Sequence, residues 1–214
     1  MAWNCKNYGG YLRTSQEAID NATMIYSILY SLGWSLEAVC GMLGNVEAES
    51  AYNPWRWQGD SLLPVGDGRI NYQNAHAYGL CQWDPAGKYI NNGSGYAGYG
   101  PNYSDRTGST SDGEAQLRYL NDNADYYSTA SYPLSYSQYK QATIAGGYSV
   151  AYLARAWFYN FERGTWSENR VTAAEYWYTY FSGGPPPQPP DPPGPTPAGR
   201  PQIWLLFKIK EANS

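Results

Sequence analysis

The stretch from Leu36 to Glu49 is apolar on most of its faces. On a helical wheel Leu36, Val39, Cys40, Leu43 and Glu47 share one side, while Ala38, Met42, Asn45 and Glu49 share roughly the other. A helix with so little polar surface has to be wrapped by others, so the chain is predicted to fold around it. Ser35 supplies an N-cap, its hydroxyl accepting from an otherwise unbonded first-turn amide. Gly41 and Gly44 each weaken a helix interior by about 1 kcal/mol relative to Ala. Their presence is tolerable where another backbone packs closely against them. The helix closes on a carboxylate, Glu49, and runs at once into Ser50-Ala51-Tyr52-Asn53-Pro54, an Asn-Pro turn.

The remaining helices are read from spacing and caps. Thr14-Ser15-Gln16-Glu17 has capping-box spacing, and Ile19, Ala22, Ile25, Tyr26, Leu29 and Tyr30 recur at helical intervals up to Gly33. Ser111 or Asp112 caps a helix to about Tyr127 that buries Ala115, Leu117, Leu120 and Ala124. Ser149 caps another, with Val150, Leu153, Ala154, Trp157, Phe158 and Phe161 on one face. Ser167 caps the last, which turns Val171, Ala174, Trp177 or Tyr178, and Phe181 inward. Residues 51–112 are rich in Gly, Asn, Ser, Asp and Tyr without a sustained period, and Gly66-Asp67-Gly68 signals a turn within a short hairpin near 66–83. So long an irregular insertion in a small domain suits a cleft wall or lid. The expected architecture is mainly α, with a central helix and a loop or short-hairpin insertion that forms a cleft.

Residues 1–13 read as an irregular lead-in, 14–182 as the domain, 183–201 as a proline-rich polyproline II spacer, and 202–214 as a short apolar segment. The octet Ile203-Trp204-Leu205-Leu206-Phe207-Lys208-Ile209-Lys210 is too short to span a bilayer and suits docking on a partner protein, as an added strand for example. Folding back onto the domain is the alternative. No signal peptide and no membrane-spanning run is read, so delivery outside a cell would need another route.

Charge and cysteine usage exclude several classes. The formal net charge is -4, charged residues make up 15% of the chain and no basic run occurs, which argues against nucleic acid as a partner. With one histidine, three cysteines and no CxxC, no metal site or cofactor is expected. An odd cysteine count argues against a disulfide framework, although one pair involving Cys5 stays open. Nine Trp and twenty-three Tyr exceed what one core absorbs, and such rings suit stacking on sugars. An ordinary Tyr-rich surface is the plainer alternative.

The chemistry gathers in two motifs. A carboxyl at a helix end beside Leu43, Tyr52 and Trp55 can lose part of its hydration while still facing a cleft. Desolvation of that kind makes a carboxyl a competent general acid near neutral pH. About thirty residues on stands Tyr78-Gly79-Leu80-Cys81-Gln82-Trp83-Asp84-Pro85. Glu47 competes with Glu49 for the acid role, and its alternative is a carboxylate bonded to loop amides. Glu162-Arg163 reads as a substrate contact or as an ion pair at a helix end. Cys81 with His76 would be a peptidase pair, but the two are only five residues apart and no second histidine exists.

Glu49-Ser50-Ala51-Tyr52-Asn53-Pro54 resembles the ES-x-F-N-P signature of lytic transglycosylases in the lysozyme superfamily, and Gly79-Leu80-Cys81-Gln82 resembles their G-L-M-Q motif. Gly44-Asn45 with Glu49-Ser50, Tyr78 to Trp83, and Phe158-Tyr159-Asn160-Phe161-Glu162-Arg163 together resemble the phage tail lysozyme family more closely. The likeness covers about residues 14–182 and implies a lysozyme-like fold. It implies Glu49 as catalytic acid, and Gln82, Tyr78, Trp83, Glu47, Tyr52 and Glu162 as substrate-binding or cleft residues. Cys81 departs from the Met common in transglycosylases.

The implied function is cleavage of the peptidoglycan glycan strand by a tail-associated enzyme during phage infection. Other tail proteins would then be partners through residues 202–214, and the virion would bring the domain to the host wall. Such cleavage needs an acid plus a second group that meets the oxocarbenium-like charge. A hydrolase would find that group among Asp60, Asp67 and Asp84, whereas a transglycosylase uses a sugar hydroxyl and one Glu. An inactive wall-binding or structural tail module is the non-enzymatic alternative.

Overall fold

The computed structural model describes residues 3–5, 15–56, 58, 76–90 and 112–183. Among these, seven α-helices run in order. They are α1 (Ser15–Ser31), α2 (Leu36–Ser50), α3 (Gly87–Ile90), α4 (Asp112–Asn123), α5 (Tyr136–Gln141), α6 (Val150–Trp157) and α7 (Asn169–Phe181). Helix α6 continues directly into a π turn, Phe158–Glu162. The domain is mainly helical, as expected, and no strand occurs among the described residues.

Helix α2 is the axis. It packs most extensively on α7 and α6, then on α1 and α5. Everything from Ala38 to Val46 is buried, so α2 is wrapped by its neighbours as its apolar wheel predicts. Ser35 caps it by accepting from the Ala38 amide. The two glycines are contact points. A Cβ on Gly41 would lie 2.8 Å from Leu153 Cβ, and one on Gly44 would lie 2.1 Å from the Arg170 carbonyl oxygen. Backbone approaches this close offset the helix penalty of glycine.

Buried polar bonds fix the wrapping helices. Asn45 Nδ2 donates to Gly41 O and Ala154 O, both at 3.0 Å, and so ties α2 to α6. The Tyr139 hydroxyl of α5 donates to Ala38 O at 3.0 Å. Asn21 Nδ2 of α1 donates to Tyr52 O at 2.8 Å. Trp34, Trp157, Tyr139 and Tyr126 form an edge-and-tilt aromatic cluster beside them.

Several expectations shift. Helix α4 ends at Asn123, short of Tyr127, and α5 joins the expected set. Glu168, not Ser167, occupies the N-cap of α7, and no side-chain cap bond forms there. The hairpin expected near 66–83 lies mostly outside the described residues. Its described end is a single antiparallel bridge between Tyr78 and Trp83. The proline-rich spacer and the apolar segment also lie outside. No disulfide joins Cys5, Cys40 or Cys81, so the pairing left open for Cys5 does not form.

Candidate active site

Glu49 stands on the last turn of α2 with 22% of its side chain exposed. Its Oε1 accepts from Arg170 Nη2 at 2.7 Å. Arg170, on the first turn of α7, is itself 7% exposed. Its Nη1 donates to Asn45 Oδ1 at 3.1 Å and to Asn45 O at 3.3 Å, and its guanidinium lies 4.9 Å from the centre of the Phe158 ring. The Gly44-Asn45-…-Glu49 motif therefore has one physical purpose. Gly44 lets α7 approach, Asn45 clamps the guanidinium, and Glu49 takes its charge. The apolar flank expected for Glu49 is replaced by this ion pair.

The more strongly desolvated carboxyl is instead Glu162, the half-buried last residue of the π turn. Its Oε1 accepts from Trp157 Nε1 at 2.9 Å. Burial, followed by the nearby Glu49 charge, pushes its carboxyl well above the usual range, against the opposing pull of Arg170, the Trp157 bond and Arg163. The rest of its motif is structural. Phe158 underlies Arg170. Asn160 is fully buried and bonds Thr129, Tyr126 and Tyr132. Arg163 turns out to the Asp125 carbonyl and over the Tyr127 ring.

The Tyr78–Trp83 segment brings Cys81 within electrostatic reach of Glu162 and Glu49. Burial, then the charges of Glu162 and Glu49, push the Cys81 thiol well above its ordinary range. It is a buried thiol that feels two negative charges, the opposite of the electropositive setting that makes a nucleophilic thiolate. Gln82 Nε2 donates to Arg56 O at 3.0 Å and Gly79 O at 2.9 Å, so its amide protons hold its own loop. Gln116 of α4 staples the two motifs, donating to Pro54 O at 2.7 Å while accepting from the Leu80 amide at 2.8 Å.

The other expected site residues separate from this centre. Glu47 is exposed and accepts from the Tyr52 hydroxyl at 2.6 Å, which corrects its placement among the apolar residues of α2. Tyr52 is buried and also receives Trp177 Nε1–H at 2.6 Å. Tyr78 and Trp83 are 7% and 8% exposed. Both rings stack with Tyr89, so their faces back the wall and offer no open plane to a sugar. Asp84 is exposed; Asp60 and Asp67 lie outside the described residues.

Strain marks the same place. The non-glycine residues with positive φ among those described are Ala51 (48°), Tyr52 (62°), Gln82 (45°) and Arg163 (57°). Each is a site-motif residue or directly succeeds one, and left-handed backbone is disfavoured by about 1 kcal/mol or more per residue. Together with the π turn, this is the clustering that functional sites show. Arg170 and Gln116 escaped the sequence reading. Arg170 did carry a signal, because a cation in a helix's first turn opposes the macrodipole unless an anion meets it.

A wrapped central helix, a carboxylate at its end held by a buried arginine, and two strained motif loops define a helical domain of lysozyme-like class. The phage tail lysozyme family model matches residues 20–181, and the chain belongs to that family. A curated relative, Morphogenesis protein 1 of Bacillus phage B103, is 29% identical over 175 residues, a match that covers 78% of this chain and 41% of the relative. The chain thus spans about two fifths of that protein's length.

Proposed function

We propose that this domain cleaves the glycan strand of peptidoglycan, as a muramidase or a lytic transglycosylase, with Glu49 as the central carboxyl. The observation that carries the reading is Glu49 on the last turn of the central helix, part-exposed and held at 2.7 Å by the buried Arg170. A hydrolase works with a pair of carboxyls in different roles, and a transglycosylase with one carboxyl and a hydroxyl of the sugar. Family membership supports the same substrate class. Gln82, held at the rim by its own loop, contributes its carbonyl to substrate, while Tyr52, Tyr78 and Trp83 hold the wall behind it.

The test is digestion of purified peptidoglycan by the wild type and Glu49→Gln, with product masses compared. Muropeptides bearing a reducing end identify a hydrolase. Products lighter by one water identify a transglycosylase. Loss of all products in Glu49→Gln is expected, and equal release by both proteins would overturn the role of Glu49. If neither protein releases anything from several wall types while both bind them, the domain is a binding module. The tail-borne role, with local wall degradation at infection, belongs to the same proposal. Deleting residues 185–214 should leave cleavage intact and abolish incorporation into particles; unchanged incorporation would refute docking by that segment.

A further inference from the structure

We infer that the outer face of α6 carries a second glycan-binding surface, apart from the Glu49 end of α2, where a neutral N-acetylated sugar strand of the wall lies along a row of aromatic rings. The choice of a glycan as ligand rests on the glycan-cleaving reading above. Helix α6 has two unlike faces. Val150, Leu153, Ala154 and Trp157 turn into the core. Tyr152, Arg155 and Tyr159 recur at i, i+3 and i+7 on another side, and Tyr148 stands one turn before them. Ring centroids follow one another at 5.6 Å from Tyr148 to Tyr152, 5.2 Å from Tyr152 to Tyr132, 5.3 Å from Tyr132 to Tyr159 and 5.8 Å from Tyr159 to Trp166. Tyr159 is 41% exposed, and the other four rings are half-buried. Steps of this size are close to the advance of successive sugars in an extended β-1,4-linked strand.

These rings keep open planes, unlike Tyr78 and Trp83. Tyr132 and Tyr159 are parallel to within 6°, and faces in direct overlap stand about 3.5–4 Å apart. A centroid separation of 5.3 Å therefore means that the two are slid sideways, each leaving part of a face uncovered. With Thr129 and Ser131 they line a recess of about 350 Å³, within the roughly 300–1,000 Å³ of small-ligand sites. Among the described residues the hydroxyls of Ser131, Tyr132 and Tyr159 make no hydrogen bond. Ring planes beside uncommitted hydroxyls suit a pyranose, which has an apolar C–H face and a polar edge. The charge also fits. Arg155 Nη2 donates to Glu168 Oε2 at 2.8 Å and Trp166 Nε1 donates to Glu168 Oε1 at 2.9 Å, so the one cation on the row is neutralised. A neutral polymer meets no opposing charge there, and a polyanion gains nothing.

The recess is fixed before any ligand arrives. Asn160, fully buried in the π turn, donates to Tyr132 O at 2.8 Å and accepts from Thr129 N at 3.1 Å and Thr129 Oγ1 at 2.9 Å. Residues 129–132 are thereby locked to the turn that carries Tyr159, and π turns are frequent at functional sites. The row also has a defined place relative to Glu49. Tyr159 and Trp166 both meet the Phe158 ring edge to face, with centroids 5.1 Å apart. The guanidinium of Arg170, which holds Glu49, lies 4.9 Å from the centre of that same ring. One buried ring thus separates the row from the Arg170–Glu49 pair, and a strand held along α6 keeps the domain on the wall between cuts.

The experiment reads binding in the full chain carrying Glu49→Gln, so that the wall stays intact, with Tyr132→Ala plus Tyr159→Ala or Tyr132→Phe plus Tyr159→Phe added. The bonds that hold Tyr132 run through its backbone, so both pairs should fold, and thermal melts check this. Tyr159→Ala alone, at the most exposed ring, takes the place of an alanine pair that does not fold. Purified peptidoglycan free of other wall polymers is the probe for cosedimentation, and a soluble N-acetylglucosamine oligomer the probe for tryptophan fluorescence. The alanine pair should weaken binding to both by about tenfold or more, and the single change by about threefold or more. The phenylalanine pair keeps both planes and should stay within about threefold of its parent. A folded alanine pair that binds within about twofold of its parent overturns the surface; loss of incorporation into particles alongside would assign the rings to a protein instead. A parent that binds neither probe overturns it as well. If the alanine pair loses binding while the wild type cleaves nothing, the surface stands and the glycan-cleaving reading falls.

Discussion

A β-carbon placed on Gly44 would sit 2.1 Å from the carbonyl oxygen of Arg170. The residue that lets α7 touch α2 thus also sets where the arginine of the candidate site stands. Gly44→Ala gains up to about 1 kcal/mol of helix propensity, but the methyl group meets backbone that cannot yield. Overpacking of this kind destabilises by about 1–3 kcal/mol, which lowers Tm by roughly 2–4 °C per kcal/mol in a domain of this size. Gly41→Ala meets Leu153 of α6 and should also lower Tm. The two should part in activity: Gly41→Ala retains cleavage per folded molecule, and Gly44→Ala loses most of it. Calorimetry with rates taken well below Tm checks both.

Arg170→Lys keeps the charge and loses the fork. An ammonium cannot span Asn45 and Glu49 in the fixed geometry the guanidinium uses. Removing one partner of a largely buried pair destabilises by about 3 kcal/mol where burial is complete, and somewhat less here, because Glu49 retains 22% exposure. Arg170→Lys should therefore be less destabilising than Arg170→Met, and both should cut wall cleavage by more than tenfold. Urea unfolding and turnover on purified wall decide it, and an Arg170→Met protein as active as wild type would refute the placement.

How much of the molecule was legible in the sequence depended on the range of each interaction. The central helix was legible because apolarity on every face is a local pattern, and the glycines within it pointed to close backbone contacts that α6 and α7 now supply. The Glu49–Arg170 pair was not legible, since its members stand 121 residues apart and no period links them. The wheel put Glu47 inside because a wheel takes no account of the chain beyond the helix end. The backbone turns left-handed at Ala51 and Tyr52, and Tyr52 returns to bond Glu47 on the exposed side. Regular α spacing turned Phe161 inward, and it packs half-buried on Trp157; the π turn also buries Asn160, which that spacing did not mark. Helix α5 is too short to show a period, although the capping box of Ser135 and Gln138 that starts it was there to be read.

Glu162 ties stability to pH with a definite sign. Its carboxyl is raised above the ordinary value of 4.5, so the folded state binds more protons than the unfolded state above that pH. Stability must then fall as pH rises from about 4.5 through the raised value. Glu162→Gln removes the titration and keeps the acceptor for Trp157. Its Tm should match wild type near pH 4 and exceed it by a widening margin toward pH 8. Paired melts across that range test the sign, and a wild type that gains on the variant as pH rises would contradict it.

Tyr52 and Glu47 separate scaffold from chemistry. Tyr52→Phe leaves Trp177 Nε1–H without its acceptor in a buried setting, a loss of about 1–3 kcal/mol. Glu47 loses only the Tyr52 hydroxyl from its exposed carboxylate, which water replaces. Glu47→Gln should accordingly shift stability by less than about 0.5 kcal/mol and leave the cleavage rate unchanged, while Glu49→Gln abolishes it. Tyr52→Phe should melt earlier yet cleave normally at low temperature. A Glu47→Gln protein that folds like wild type and is inactive would move the reacting carboxyl two residues back along α2, away from Arg170.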